Sequence, residues 1–228
     1  PGTAMFAFPG SEGSIHVEID VRVTQLLCSR LCHDLIGAAS AVNTGLEFMA
    51  EDGHGSEALD LVHKSADRMI RRLNFFRGAL GFGGGRQGPL SLDEARKLVV
   101  GWYADAKADL NWTAEMTVAG EGGVLQVPAI KMLMLMTLLA EECLIRGGEV
   151  GVHVVRIEEG LGVAVRAVGT GAKLSDDVAA GLNPNCGPDT LTARNAHAHW
   201  AQRIAQSQGA FLEAKSAAGE VHFAVLLP

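Results

Sequence analysis

The first half of the chain contains two stretches in which apolar or small residues recur at alternating spacings of three and four. That spacing is typical of one face of a helix. The stretches cover residues 28–49 and 59–80, and only residues 51–55 separate them, so the pattern predicts an antiparallel helical hairpin. The residues predicted to join the two helices are Cys28, Leu31, Leu35, Ala38, Val42, Gly45 and Met49 with Leu59, Val62, Ala66, Met69, Leu73, Phe76 and Leu80.

Further apolar residues of the hairpin lie outside this predicted contact. One partner helix covers only one side of each apolar stripe, so these residues need another surface to pack against. A second hairpin would complete a four-helix bundle, and we therefore expect a homodimer. The residues concerned are Ile36, Leu46, Phe48, Ile70 and Phe75.

A glycine-rich segment, residues 81–89, follows the second stretch. Closely spaced glycines disfavour regular structure, so we expect a domain boundary here. We expect residues 1–20 to be a disordered leader or the remnant of a tag, because the first residues lack an initiating Met, a basic start and a sustained apolar core. The expected hairpin domain covers residues 21–82, and the expected second domain covers residues 89–228.

The second half of the chain alternates helical and strand patterns. Ser91 and Glu94 have the spacing of a capping box, which begins a helix expected to end near residue 106. A later helix, expected over residues 128–145, is apolar on nearly all sides and should be buried. Strands are expected over residues 110–118, 149–157, 161–168, 211–215 and 220–227, and a last helix over residues 190–208. The predicted fold class is therefore α+β, with an α/β sandwich whose sheet is mostly antiparallel.

Composition narrows the classes of function. The chain has 228 residues, a formal net charge of −7 and a pI near 5.6. It has no run of Lys and Arg interleaved with aromatic residues, so we expect no direct nucleic-acid partner. The longest apolar run, residues 132–140, is too short to span a bilayer, so we expect no membrane association and a cytoplasmic location. Four cysteines without an export signal are expected to be reduced thiols.

One histidine stands out on the first predicted helix. His33 lies midway between Leu31 and Leu35, on the face opposite the predicted contact, and Asp34 follows it. A neutral imidazole is a nucleophile near pH 7, and an adjacent carboxylate can hold the proton of the other ring nitrogen and stabilise the developing positive charge. The alternative is an ordinary exposed histidine without chemical function.

Other polar and sulfur-containing residues have simpler interpretations. Cys28 and Cys32 precede His33 with one residue too many for haem attachment, and no second Cys pair completes a zinc site, so we expect small buried thiols. His197 and His199 are assigned no function. Four arginines fit either electrostatic steering of an acidic partner or a solvated helix face, namely Arg68, Arg71, Arg72 and Arg77.

Four short blocks of the sequence carry a resemblance to a known family. They are residues 27–36 (LCSRLCHDLI), 43–47 (NTGLE), 75–77 (FFR) and 146–148 (RGG). Over residues 22–228 the chain resembles the bacterial ChpT-like histidine phosphotransferases, which share the architecture of histidine kinases. The resemblance implies a helical hairpin that forms a dimeric four-helix bundle, followed by a histidine-kinase ATPase-like α/β sandwich.

The resemblance also implies a role in a phosphorelay. His33 would accept a phosphoryl group from a receiver-domain aspartate, assisted by Asp34, and pass it to another receiver domain. The expected partners are the receiver domain of a hybrid histidine kinase and the receiver domains of response regulators. Because the receiver supplies the Mg²⁺ ion, this chain is expected to need no cofactor or metal of its own.

Small residues surround His33 on the predicted helix and leave room for a docking partner. A glycine within a helix costs about 1 kcal/mol relative to alanine, so Gly37 is either tolerated or a place of close approach. The family often has Ser-Pro where this chain has Gly37 and Ala38. The predicted receiver-docking residues are Arg30, Gly37, Ser40, Ala41 and Thr44.

The second domain lacks the residues with which related kinases bind nucleotide. Leu139 stands where the kinases have an Asn that holds the metal, and Ala167 stands where they have the Asp that recognises adenine. Residues 185–189 replace the glycine-rich lid. We therefore expect no ATP binding. The alternatives are an autophosphorylating kinase with a divergent ATP site and a non-catalytic dimeric scaffold that binds receivers.

Overall fold

The first half of the chain forms the predicted helical hairpin. The computed structural model describes residues 20–50, 55–81, 90–113 and 125–228. Helix α1, Val21–Ala50, packs along helix α2, Gly55–Leu80. Residues 1–19 of the predicted leader and most of the glycine-rich boundary, together with residues 51–54 of the loop between the helices, lie outside the described residues.

The contact between α1 and α2 agrees with the sequence pattern better on α1 than on α2. Ala38 and Gly45 of α1 are buried, as predicted, but α2 buries Ala58 and Ser65, each one residue before the predicted Leu59 and Ala66. A Cβ atom on Gly45 would lie 2.6 Å from Val62 Cγ2, so the helices approach too closely for any larger residue there. Four larger residues that were predicted to lie in this contact are instead exposed, and for them the prediction is wrong: Cys28, Met49, Leu59 and Leu73.

The second half is an α/β sandwich with a five-stranded sheet. Its helices are α3, Leu92–Tyr103, α4, Val127–Glu142, α5, Asp176–Leu182, and α6, Ala196–Ser207, with a short 3₁₀ helix at Pro188–Thr190. Its strands are β1, Ala108–Trp112, β2, Gly148–Ile157, β3, Gly160–Val168, β4, Glu213–Ala217, and β5, Glu220–Leu227. The strand order is β1-β2-β3-β5-β4, and only the β1–β2 pair is parallel. The prediction of a mostly antiparallel sheet is confirmed.

The side chains of a strand point alternately to the two faces of the sheet, and the apolar ones face the core. Val150, Val152 and Val154 of β2 point into the core, and their neighbours along the strand point outward. Strands β3 and β5 alternate in the same way. Helix α4 lies against this inner face and is buried from Ala129 to Ala140 except at the half-buried Lys131, as its apolar sequence predicts.

Several helix ends differ from the predicted ones. The capping box of Ser91 and Glu94 begins α3, which ends at Tyr103. Helix α4 ends at Glu142, before the turn that Gly147 completes with a positive φ of 85°. The prediction missed the short helix α5. Its sequence signal is the N-cap residue Ser175, whose side chain accepts a hydrogen bond from the backbone N–H of Val178. The end of the predicted strand over residues 110–118 lies outside the described residues.

The hairpin and the sandwich are packed together along α2. Phe75 and Phe76 contact Trp102 of α3, and the guanidinium of Arg72 lies 4.6 Å from the centroid of the Trp102 ring. Phe75 is 0% exposed, so the prediction that it lacks cover within one chain is wrong, because α3 covers it. A Cβ atom on Gly78 would lie 3.0 Å from Met134 Cε of α4, which shows how close this junction is.

Besides Arg72, two more of the four arginines considered for steering serve the same junction. Arg71 Nη2 lies 2.7 Å from Asp105 Oδ2, and Arg68 Nε lies 3.4 Å from the same oxygen. Burial alone would raise the pKa of Asp105, but the hydrogen bonds and charges of Arg71 and Arg68 lower it. The arginines therefore bind the second half of the chain through Asp105.

Candidate functional site

His33 projects from the middle of α1 into solvent. Its side chain is 85% exposed, which agrees with its predicted position opposite the contact with α2. The ring Nδ1 lies 3.2 Å from Asp34 Oδ1. An ionised carboxylate can only accept, so this bond requires the proton on Nδ1, and in the neutral ring Nε2 then keeps its lone pair. The geometry leaves Nε2 available to an approaching electrophile.

Asp34 differs from its neighbour, because only 11% of its side chain is exposed. Its Oδ1 faces His33, and its Oδ2 accepts a hydrogen bond from Arg30 Nε at 2.9 Å. Arg30 lies one helical turn earlier on α1, in the i,i+4 relation that brings side chains together on a helix. Each oxygen of the carboxylate thus has its own partner.

Arg30 also reaches from the hairpin to the sandwich. Its Nη2 donates a hydrogen bond to Glu142 Oε1, at the end of α4. Its Nη1 lies 3.4 Å from Nδ1 of His197 on α6, and Nε2 of that ring lies 2.9 Å from Glu142 Oε2. His197 is 1% exposed. A continuous chain of polar contacts therefore runs from His33 through Asp34, Arg30 and Glu142 to His197.

The charges within this chain of contacts support each other. Burial alone would raise the pKa of Glu142, but the charges and hydrogen bonds of His197 and Arg30 outweigh it and lower that pKa. Burial alone would likewise lower the pKa of Arg30, but Glu142 and Asp34 raise it. Glu142 therefore stays ionised, and Arg30 stays charged between two carboxylates.

The predicted docking residues have different degrees of exposure. Gly37 and Ser40 are exposed, and a Cβ atom on Gly37 would meet nothing within 4 Å. Ala41 and Thr44 are half-buried. Arg30 is mostly buried, with its guanidinium bound to Asp34 and Glu142. Open space for a partner thus lies beside His33 on the Gly37 side.

The two residues that the sequence analysis compared with nucleotide-binding positions are buried and apolar. Leu139 of α4 and Ala167 of β3 are both 0% exposed and offer no polar side-chain atom. Helix α6, which contributes Ala198, Ala201 and Ala205 to the core, packs directly against α4.

Cys28 and Cys32 are both exposed on α1, so the prediction that they are buried is wrong for the single chain. Helix α2 covers a neighbouring face of α1 and leaves theirs open. Within the described parts of the chain, no group of three or more His, Cys, Asp and Glu side chains could hold a metal ion. No helix there is long and apolar enough to cross a membrane.

Sequence reasoning missed Glu142 and His197. Glu142 is a charged residue at the end of a helix that is otherwise almost entirely apolar, so it had to find a partner or reach solvent. His197 stands between Ala196 and Ala198 on a buried face, where a polar ring needs a hydrogen bond. Each signal predicts some partner, but neither identifies Arg30 in the other half of the chain.

Comparisons with known proteins agree with this architecture. The profile of the family described as histidine phosphotransferase C-terminal domain matches residues 92–220. Protein phosphotransferase ChpT of Brucella abortus (strain 2308) is 32% identical over 130 residues, or 56% of this chain. The match spans 58% of the length of that relative.

A solved structure of a bacterial phosphotransferase superposes with a TM-score of 0.77 at 21% identity. The superposition covers 92% of this chain and 98% of that one. At this identity the similarity shows a shared fold. The hairpin and the sandwich are thus found together, in one arrangement, in both proteins.

Proposed function

The chain belongs to the histidine phosphotransferase family, and from that premise we propose that it is a phosphorelay protein that carries a phosphoryl group on His33. The group comes from a receiver-domain aspartate, such as that of a hybrid histidine kinase, and passes to the receiver domain of a response regulator. The observation that carries the proposal is an exposed imidazole whose Nδ1 is bonded to a carboxylate and whose Nε2 is open.

The proposed transfer is a direct displacement at phosphorus. The Nε2 lone pair of His33 attacks the phosphorus of the aspartyl phosphate, so an N–P bond forms while the P–O bond to the receiver breaks. The receiver carboxylate leaves with the electron pair of that bond. Nδ1 keeps its proton, and Asp34 stabilises the positive charge that develops on the ring. Return transfer to another receiver aspartate is the same step in reverse.

The second half of the chain is proposed to act without ATP. Leu139 and Ala167 supply neither the amide that would hold a metal nor the carboxylate that would recognise adenine. In-line phosphoryl transfer depends on positioning and on charge stabilisation, and a receiver domain brings its own Mg²⁺ ion and acidic pocket. The chain then needs no cofactor of its own for the transfer.

The receiver is proposed to dock on α1 around His33. Gly37 and Ser40 leave the space beside the imidazole open, and Ala41 and Thr44 continue the same side of the helix. Ile36, which is exposed next to His33, offers an apolar contact of the kind found in docking surfaces. Arg30 lies at the buried edge of this surface.

The hairpin is proposed to form a homodimer through a four-helix bundle. Helices α1 and α2 each keep a stripe of small or apolar side chains, spaced by one or two helical turns, that the other helix covers only in part. Many side chains of this stripe are exposed, and a second hairpin would bury them. We define this uncovered stripe as Cys28, Cys32, Leu35, Ala39, Val42, Leu46 and Met49 on α1 with Leu59, Ala66, Ile70 and Leu73 on α2.

The experiment that tests the relay supplies a receiver domain with labelled phosphoryl on its aspartate, without ATP. Label is followed onto the wild type, His33→Gln and His63→Gln. His63 is a matched control, because it is also an exposed histidine of the hairpin beside an aspartate, Asp67. Label on the wild type and on His63→Gln but not on His33→Gln is expected. If several active receivers label none of the three, the chain is a scaffold; labelling by ATP alone would indicate a kinase.

A further inference from the structure

The sandwich contributes two residues to the surroundings of His33 without contacting it. Glu142 ends α4 and His197 lies in the first turn of α6, and both meet Arg30, which binds Asp34. We propose that Glu142 and His197 are positioning residues for phosphoryl transfer: through Arg30 they fix Asp34 in the place where it holds the Nδ1 proton of His33. This inference rests on the proposed function of His33.

Asp34 depends on such support because its helix alone does not fix it. A carboxylate that faces water on a helix samples several rotamers, and a salt bridge between exposed side chains contributes little order, whereas Arg30 and Asp34 are only 17% and 11% exposed. Arg30 is a long side chain that loses considerable rotamer entropy when it is held in one conformation. Glu142 supplies the second attachment that offsets this loss, since the planar guanidinium can bind two carboxylates at once.

Glu142 also shapes the charge that His33 experiences. If Asp34 were the sole counter-ion of Arg30, much of its negative charge would be compensated by the guanidinium. Sharing that guanidinium with Glu142 leaves Asp34 better able to stabilise positive charge on the phosphorylated ring. His197, which is buried and bonded to Glu142, keeps this second carboxylate directed at Arg30.

Glu142 and His197 belong to helices of the sandwich, so the position of Asp34 on the hairpin depends on the core of the sandwich. Helices α4 and α6 are packed against each other within that core, so Glu142 and His197 have little freedom to move. The sandwich thereby acts on the phosphoryl acceptor through position and charge. This contribution does not involve a nucleotide.

The test compares Glu142→Gln with Asp105→Asn. Both substitutions remove one negative charge from an ion pair between the hairpin and the second half of the chain, but Asp105 binds Arg71 and Arg68 and lies outside the contacts that reach His33. Long-range ¹H–¹⁵N NMR measures the tautomer of His33, assigned with His33→Gln, and a labelled phospho-receiver measures the rate of transfer. A purely structural role would leave the tautomer unchanged.

We expect His33 to be mainly the Nδ1–H tautomer in the wild type and in Asp105→Asn. In Glu142→Gln the ratio shifts toward Nε2–H, and transfer slows by about tenfold, as expected when a reacting group is displaced. Arg30→Lys behaves like Glu142→Gln, because an ammonium lacks the planar fork that binds two carboxylates.

A double-mutant cycle tests whether Glu142 acts through Asp34. In the Asp34→Asn background, Glu142→Gln should have no further effect on the transfer rate. The inference is wrong if Glu142→Gln keeps both the wild-type tautomer and the wild-type rate, or if its effect is undiminished in Asp34→Asn. A wild type that accepts no phosphoryl group would contradict the proposed function instead, and the tautomer ratios would still test the positioning role.

Discussion

The two helices of the hairpin each carry a histidine beside an aspartate. The two pairs differ in the burial of the aspartate and in the other groups that bind it. His33 and His63 are similarly open, with 85% and 78% of their side chains exposed, and their Nδ1 atoms lie 3.2 and 3.5 Å from Asp34 and Asp67. Asp34 is 11% exposed and Asp67 is 53% exposed. Within the described residues, no second group is bonded to Asp67.

Exposure and pairing with a carboxylate do not by themselves make a histidine a functional site. An exposed His–Asp pair gains little from its contact, because water competes for both partners. Around His33 the second half of the chain supplies a half-buried carboxylate, Glu142, that binds Arg30 beside Asp34. Under the proposed function the histidine remains accessible while its paired carboxylate is fixed, which is the preorganisation that catalysis requires.

We expect the greatest change in stability when the packing between the sandwich and the hairpin is disrupted. Phe75→Ala removes a ring that is 0% exposed and stacked on Trp102, and we expect it to lower the free energy of unfolding by about 3–5 kcal/mol. Urea denaturation measures the change. Phe211→Ala is the control, because Phe211 is exposed on the sandwich and its loss should cost about 0.5 kcal/mol. Equal losses in the two variants would show that the junction adds no stability.

A second prediction concerns variants that lack the carboxylate of one His–Asp pair or the other. Asp34→Asn should slow phosphoryl acceptance by about a hundredfold, since the amide cannot stabilise positive charge on the ring as a carboxylate does. Asp67→Asn should leave the rate unchanged. Rates are measured with the same phospho-receiver. If both variants transfer at the wild-type rate, the support behind Asp34 has no part in the chemistry.

The third prediction concerns the uncovered stripe, which both helices share. Leu46→Glu places a charge in the proposed dimer contact, and we expect the dimer dissociation constant to rise by about tenfold or more. Sedimentation measures the constant, and circular dichroism should show an unchanged fold. Ile145→Glu, which alters an exposed residue outside the hairpin, should leave association as it is. A wild type that is monomeric at high concentration would refute the proposed bundle.

We expect ATP to have the least effect on the stability of the protein. A site with micromolar affinity would stabilise the protein by about 4 kcal/mol at a ligand concentration a thousandfold above its dissociation constant. We expect millimolar Mg-ATP to leave the melting temperature of the wild type unchanged, because Leu139 and Ala167 offer no polar contact. A clear rise in melting temperature would mean that the sandwich binds nucleotide and does more than position Asp34.

Much of this fold could be predicted from local sequence signals. The capping box of α3, the apolar character of α4 and the alternation in β2 and β3 each reflect a single element and its immediate surroundings. The exposed position of His33 followed from the spacing of its neighbours on α1. Where the surroundings of a single helix or strand determine its pattern of apolar residues, that pattern is sufficient to predict the element.

The predictions were wrong where packing between elements decides. Helix α2 faces Gly45 with Ala58 and not with the predicted Leu59, because close approach of small residues is favoured over the covering of Leu59. Phe75 is buried by a helix that follows it in the chain. Arg30 and Glu142 are 112 residues apart, and their contact depends on how the two halves of the chain are arranged.

The most direct test of the relay follows the phosphoryl group off the protein. Wild-type protein labelled by a phospho-receiver is separated from its donor, the labelled residue is mapped, and a fresh receiver domain is added without ATP. We expect acid-labile, alkali-stable label on His33 that moves to the fresh receiver. Label mapped to another residue, or label on His33 that no receiver can take up, would contradict the relay.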